Sequence, residues 1–147
     1  MEMPYRKIRL QDCSDKRGSM KVLSYGQELP FEVKRAFFTY DPADASVRGN
    51  HAHVYSREAF VCMQGSCEMT VDDGKRTYAI TLCDPGETLI VEPMTWKKLE
   101  HYSADCILLV LSDNLYEESD YIREYELFLK LCKEKQDDCG AEAHSET

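Results

Sequence analysis

No apolar run in the sequence approaches the about 20 residues that cross a bilayer. The opening Met1-Glu2-Met3-Pro4-Tyr5-Arg6-Lys7 also lacks the apolar core of a secretory leader. The expectation is a cytoplasmic protein with no membrane partner. A basic excess is missing as well: 18 lysines and arginines stand against 27 aspartates and glutamates, for a formal net charge of -9. Such a mean field repels polyanions, so no nucleic-acid partner is expected, although local arginines could still hold a small phosphorylated molecule. The seven cysteines are odd in number and include no Cys-x-x-Cys pair, which removes the usual zinc and redox signatures. Cys62 lies within Ala59-Phe60-Val61-Cys62-Met63, and Cys106 precedes Ile107-Leu108-Leu109-Val110-Leu111. Both read as small core residues in a reducing compartment.

What is present is a succession of short strands. The 147 residues suit a single domain with an ordinary core. Residues 33–40, 59–64, 67–71, 76–82, 88–92 and 106–112 are rich in β-branched, aromatic or aliphatic side chains. Gly65-Ser66, Asp72-Asp73-Gly74 and Asp84-Pro85-Gly86 separate several of them with turn chemistry. Shorter strands are expected near residues 8–10 and 21–25. Close spacing without intervening helices implies an all-β antiparallel sandwich or small barrel. One helix is expected, capped by Ser119-Asp120, with Tyr121, Ile122, Tyr125, Phe128, Leu129 and Cys132 forming the face that packs outside the barrel. The domain is read as residues 1–131, and residues 132–147 as a polar, flexible C-terminal tail.

The most informative stretch is Arg48-Gly49-Asn50-His51-Ala52-His53, which holds two of the four histidines. At about 3.3 Å per residue, an extended backbone puts His51 and His53 on one face roughly 6 to 7 Å apart. Both rings can therefore reach one small ligand. Glu58 and Gly65 complete a His-x-His, Glu and Gly spacing that is the first sequence motif of the cupin barrels. Two chemistries stay open at this point: a metal held by His51, His53 and Glu58, or proton transfer to and from a substrate carbon. The second cupin motif would supply a further histidine, but Pro93-Met94-Thr95-Trp96-Lys97-Lys98 contains none, and His101 comes three residues later.

The wider pattern resembles the sugar 3,4-ketoisomerases, WxcM-like cupins that act on dTDP-4-keto-6-deoxyglucose. The resemblance is carried by residues 48–53, Val61-Cys62-Met63-Gln64-Gly65-Ser66-Cys67, Asp72-Asp73-Gly74, Glu92-Pro93-Met94-Thr95-Trp96, residues 105–111 and Asp120-Tyr121-Ile122-Arg123-Glu124-Tyr125. It implies a cupin jelly-roll barrel with no metal or other cofactor, and a homodimer that exchanges N-terminal strands. It also implies a dTDP-linked 4-keto-6-deoxy sugar as substrate, on a route to deoxyaminosugars of surface polysaccharides. By the resemblance, His53 is the principal base, His51 its partner in proton transfer, and Tyr40 an acid or hydrogen-bond donor to the sugar. Arg48, Glu58, Trp96 and Lys97 are the expected substrate contacts. Three positions depart from the family pattern. Phe37 and Phe38 stand where tyrosines are common, and Glu58 where glutamine is. The alternatives are a metal-dependent cupin enzyme using His51, His53 and Glu58, and a non-catalytic nucleotide-sugar-binding cupin.

Overall fold

The computed structural model describes residues 3–145. In chain order its elements are β1 (Tyr5–Arg9), β2 (Arg35–Thr39), β3 (Arg48–His53), β4 (Glu58–Gln64), β5 (Cys67–Asp72), β6 (Thr77–Leu82), β7 (Glu87–Val91), β8 (Trp96–Glu100), β9 (Ile107–Ser112), β10 (Tyr121–Ile122) and α1 (Tyr125–Ser145). The two most apolar runs are neighbours, because β4 pairs antiparallel with β9 along most of its length. They form the centre of a five-stranded sheet ordered β1-β7-β4-β9-β2. A second five-stranded sheet runs β10-β3-β8-β5-β6. The sheets face one another as a jelly-roll sandwich without closing into a continuous barrel.

Side-chain alternation along the strands divides the apolar residues into three layers. Between the sheets lie Phe60, Cys62, Met69, Val71, Leu89, Leu108 and Val110. The outer face of the first sheet, with Ala59, Ile90 and Leu111, is covered by Leu29 and Phe31 of the long segment after β1. The outer face of the second sheet is covered by α1, whose Phe128 and Cys132 sit one turn apart and pack on Ala52 and Ile122. Helix α1 thus presses on the back of the strand that carries the histidines.

Several expectations need correction. Residues 21–25 form no strand; Lys21 makes only an isolated bridge to Asp12. The helix starts at Tyr125 rather than after Asp120. Tyr121 and Ile122 instead add a short strand to β3, opposite His53 and Ala52, since a partner edge satisfies their backbone groups and aims Ile122 at the helix. Strand β8 has no counterpart among the expected strands. The segment after residue 131 is helical to Ser145, and Cys132 is buried, so the packed unit reaches past the expected boundary. Residues 146 and 147 of that segment lie outside the described residues.

One local feature sets the geometry of the site. Gly49 and Asn50 have φ of 82° and 54°, and the β3–β8 register shifts between Gly49 and His51. A Cβ on Gly49 would stand 2.8 Å from the Lys97 carbonyl oxygen, so only glycine admits this close approach of the two strands.

Candidate active site

Strand β3 delivers His51 and His53 into the space between the sheets, their ring centroids 5.1 Å apart. His53 is 1% exposed. Its Nδ1 lies 2.8 Å from Asp120 Oδ2, and because a carboxylate only accepts, Nδ1 carries the hydrogen and Nε2 keeps the lone pair. Asp120 is anchored in turn by the Tyr55 N–H at 2.9 Å and by the Ser56 hydroxyl. Burial would raise the Asp120 carboxyl, but these hydrogen bonds and His53 outweigh it and hold it below the ordinary carboxylate value. His53 Nε2 is 3.2 Å from Glu58 Oε1 yet has no partner in hydrogen-bonding alignment. With the ring hydrogen on Nδ1, Nε2 has none to give the carboxylate, and its lone pair stays open.

Glu58 enters from the start of β4 on the opposite sheet and is 3% exposed. Its Oε1 accepts from Lys97 Nζ at 2.5 Å, with Lys97 itself 2% exposed. Burial favours the neutral acid, but the Lys97 ammonium bonded to it keeps Glu58 well below the usual carboxylate range. His51 is tied differently. Its Nδ1–H donates to the Gly49 carbonyl at 3.0 Å. Burial first, then the neighbouring Lys97 charge and His53, push its pKa down to about 4. At neutral pH His51 is an uncharged imidazole with a free Nε2 lone pair. The Tyr121 ring packs edge-on against both imidazoles, with centroids 4.5 Å from His53 and 5.0 Å from His51.

His51, Glu58 and Lys97 border a cavity of about 190 Å³, space on the scale of one six-membered ring, with His53 set behind Glu58. Arg48, His51, Glu58 and Lys97 line it together with Tyr121 and an apolar wall that includes Phe37, Phe60, Leu108 and Val110. The structure therefore gathers His51, His53, Arg48, Glu58 and Lys97, and leaves out two other expected residues. Tyr40 is 61% exposed and borders a separate surface depression with Phe38 and Gln64. On β2 it is Phe37 and Thr39 that face the cavity, so Tyr40 falls on the wrong parity. Trp96 points to the opposite face of β8 from Lys97 and packs against Tyr125 and Phe128 of α1, with centroids 5.3 and 5.7 Å away. His101 lies apart from the cavity, beside Glu68 at 3.6 Å. Asp120, Ser56 and Tyr121 belong to the site but read as a helix start and a turn in the sequence. The only signal for Asp120 and Tyr121 was their place in the Asp-Tyr-Ile-Arg-Glu-Tyr block, and Ser56 had none.

The metal alternative has a geometric basis, since ligand atoms of His51, His53 and Glu58 lie within 4.8 Å of one another. Lys97 opposes it: a cation there would have to displace an ammonium already bonded to Glu58.

The chain has relatives among known proteins. Residues 3–133 match the family described as WxcM-like, C-terminal (FdtA). The chain is 36% identical over 128 residues, 87% of its length and 92% of the other, to a TDP-4-oxo-6-deoxy-alpha-D-glucose-3,4-oxoisomerase of Aneurinibacillus thermoaerophilus. Among solved structures it is similar to WlaRA, a TDP-fucose-3,4-ketoisomerase of Campylobacter jejuni, with 38% identity, a TM-score of 0.84 and coverage of 88% of this chain and 96% of that one. It is also similar to QdtA, a sugar 3,4-ketoisomerase of Thermoanaerobacterium thermosaccharolyticum solved with TDP, at 27% identity and a TM-score of 0.88, covering 92% and 98%. The chain belongs to the WxcM-like family of sugar 3,4-ketoisomerases.

Proposed function

We propose that this isomerase moves the keto group of a dTDP-4-keto-6-deoxyhexose from C4 to C3 through an enediolate. The observation that carries the reading is the His53–Asp120 pair, which holds an unpartnered Nε2 lone pair behind a second neutral imidazole, His51, that itself lines a ring-sized cavity. A ketone acidifies the hydrogen on the adjacent carbon, and an imidazole, with an ordinary pKa of about 6.5, can take and return such a proton at neutral pH. His53, held in one tautomer by Asp120, removes the C3 proton and returns it at C4. His51 offers its lone pair to a substrate hydroxyl. Arg48, whose guanidinium makes no salt bridge among the described residues, stands at the mouth to meet the diphosphate. The nucleotide lies outside the cavity, because the apolar wall of Phe37, Phe60 and Val110 leaves room for the sugar alone.

The biological setting follows as part of the same proposal: a cytoplasmic enzyme supplying 3-keto sugars for amination in surface-polysaccharide synthesis. We place it as a homodimer. Strand β1 sits at a sheet edge, the position from which N-terminal strands exchange between copies.

The test is proton NMR of chelator-treated protein with dTDP-4-keto-6-deoxyglucose in deuterated water. The expected result is exchange at C3 and appearance of a 3-keto product, with His53→Ala slowing both by about 1000-fold. Absence of exchange at C3 in the parent enzyme would overturn the reading. Recovery with a divalent metal would favour the His51, His53 and Glu58 metal site.

A further inference from the structure

Lys97 is a charge in an apolar cage. It is 2% exposed, its Nζ lies 5.9 Å from the centre of the Phe60 ring, and Glu58 Oε1 is its one hydrogen-bond partner among the described residues. One of its three ammonium hydrogens is thereby used, and the side chain borders the same cavity as His51. Two apolar residues of similar volume would pack this wall as well or better, because desolvating an ion pair is seldom repaid by its attraction. Folding therefore does not account for the pair.

The chemistry does. Moving a carbonyl from C4 to C3 relocates two kinds of proton. The C–H bonds that break and form must align with the π system, so they stand perpendicular to the enediolate plane. The lone pairs of O3 and O4 lie within that plane. One base placed for the carbon cannot also reach both oxygens, and a second group is required beside the sugar's edge.

We propose that Lys97 is that group, a catalytic residue whose ammonium, held by Glu58, gives a proton to O4 and then takes one from O3. The assignment rests on the ketoisomerase reading. In the first half, the C3–H bond breaks to His53 Nε2, the C3–C4 double bond forms, and the C4 carbonyl electrons take a proton from Lys97 Nζ. In the second half, neutral Lys97 removes the O3 proton, the C3 carbonyl forms, and C4 receives the proton held on His53. Enzyme and proton count return to their starting state, and no oxidant or reductant enters. Among the cavity groups, Arg48 cannot release a proton in this way. Thr39 and Tyr121 are neutral hydroxyls, Glu58 is an ionised carboxylate, and His51 is already uncharged with its one hydrogen committed to Gly49.

The experiment measures two rates by NMR in deuterated water with dTDP-4-keto-6-deoxyglucose: exchange at C3 and formation of the 3-keto product. Lys97→Arg keeps the charge and the bond to Glu58 but does not give up its proton. The expected outcome is C3 exchange within about tenfold of the parent while product formation falls about 100-fold or more. Lys97→Met is expected to lose both rates; if it does not fold, Lys97→Arg decides alone. Product formation by Lys97→Arg within about tenfold of the parent would overturn the assignment, as would a parallel fall in both rates, the mark of a structural role. In either case an active parent leaves the isomerase reading standing. A parent that neither exchanges nor converts overturns that reading, and the role of Lys97 with it.

Discussion

The interior between the sheets has two unlike ends, and β4 runs through both. At its start Glu58 meets Lys97 and His53, with Asp120 behind. Four residues on, Cys62 meets Cys106, their sulfurs 3.9 Å apart, with Cys67 also buried close by. Both ends are closed to solvent, yet only one carries charge. At the charged end each buried group has an opposite charge or a hydrogen bond, because an unpartnered buried ion is too costly to keep. At the thiol end the contacts are weaker: the Cys62 thiol shares its hydrogen between the Gln64 and Gly65 carbonyls at 3.4 Å, and burial raises the Cys106 thiol to about 11. Between the sheets, buried charge is gathered at the end where there is chemistry for it to do.

Three perturbations test that contrast. The largest effect is expected from Glu58→Ala, which strands the Lys97 charge in the cavity. Stability should fall by about 3–5 kcal/mol, read from denaturant unfolding, and a loss under about 1 kcal/mol would show that the pair is not buried in solution. A smaller effect concerns pH. The folded state favours neutral His51, with a pKa of about 4 against about 6.5 unfolded. Its contribution to stability is therefore fully present above pH about 6.5 and is lost as the pH falls toward about 4. Thermal unfolding of the parent and of His51→Asn should converge over that window; parallel curves would contradict the depressed value. The smallest effect belongs to the thiol end. Cys62→Ala should cost on the order of 1 kcal/mol and leave turnover unchanged, and a loss of turnover would give that end a part in catalysis.

The strands that were plain in the sequence are those whose residues obey one rule. Residues 59–64 and 106–112 are apolar because both faces of β4 and β9 are covered. The His-x-His spacing showed that His51 and His53 share a face, and it held. Strand β8 was hidden because its inward positions are Lys97 and Leu99, and a lysine at an inward position breaks the alternation on which a strand is recognised. Asp120 was misread for a related reason. Its carboxylate, suited to capping a helix, is used across the fold to hold His53. Local propensity says what a side chain can do nearby and is silent about a partner 67 residues away. Trp96 and Tyr40 were assigned to the site from their neighbours in sequence, and strand parity sends each to the far side.

Gly49 has a consequence for how such an enzyme can diversify. The missing side chain lets β3 and β8 meet at the bulge, which fixes the spacing between the imidazoles and the lysine as a ruler would. That span is closed to variation, since any larger residue would drive the strands apart. On the opposite wall Phe60, Leu108 and Val110 belong to the packed core, but Phe37 is 39% exposed and can be exchanged without opening that core. New sugars can be admitted through that wall while the proton-moving apparatus keeps its dimensions, so substrate range and reaction type are separately inheritable.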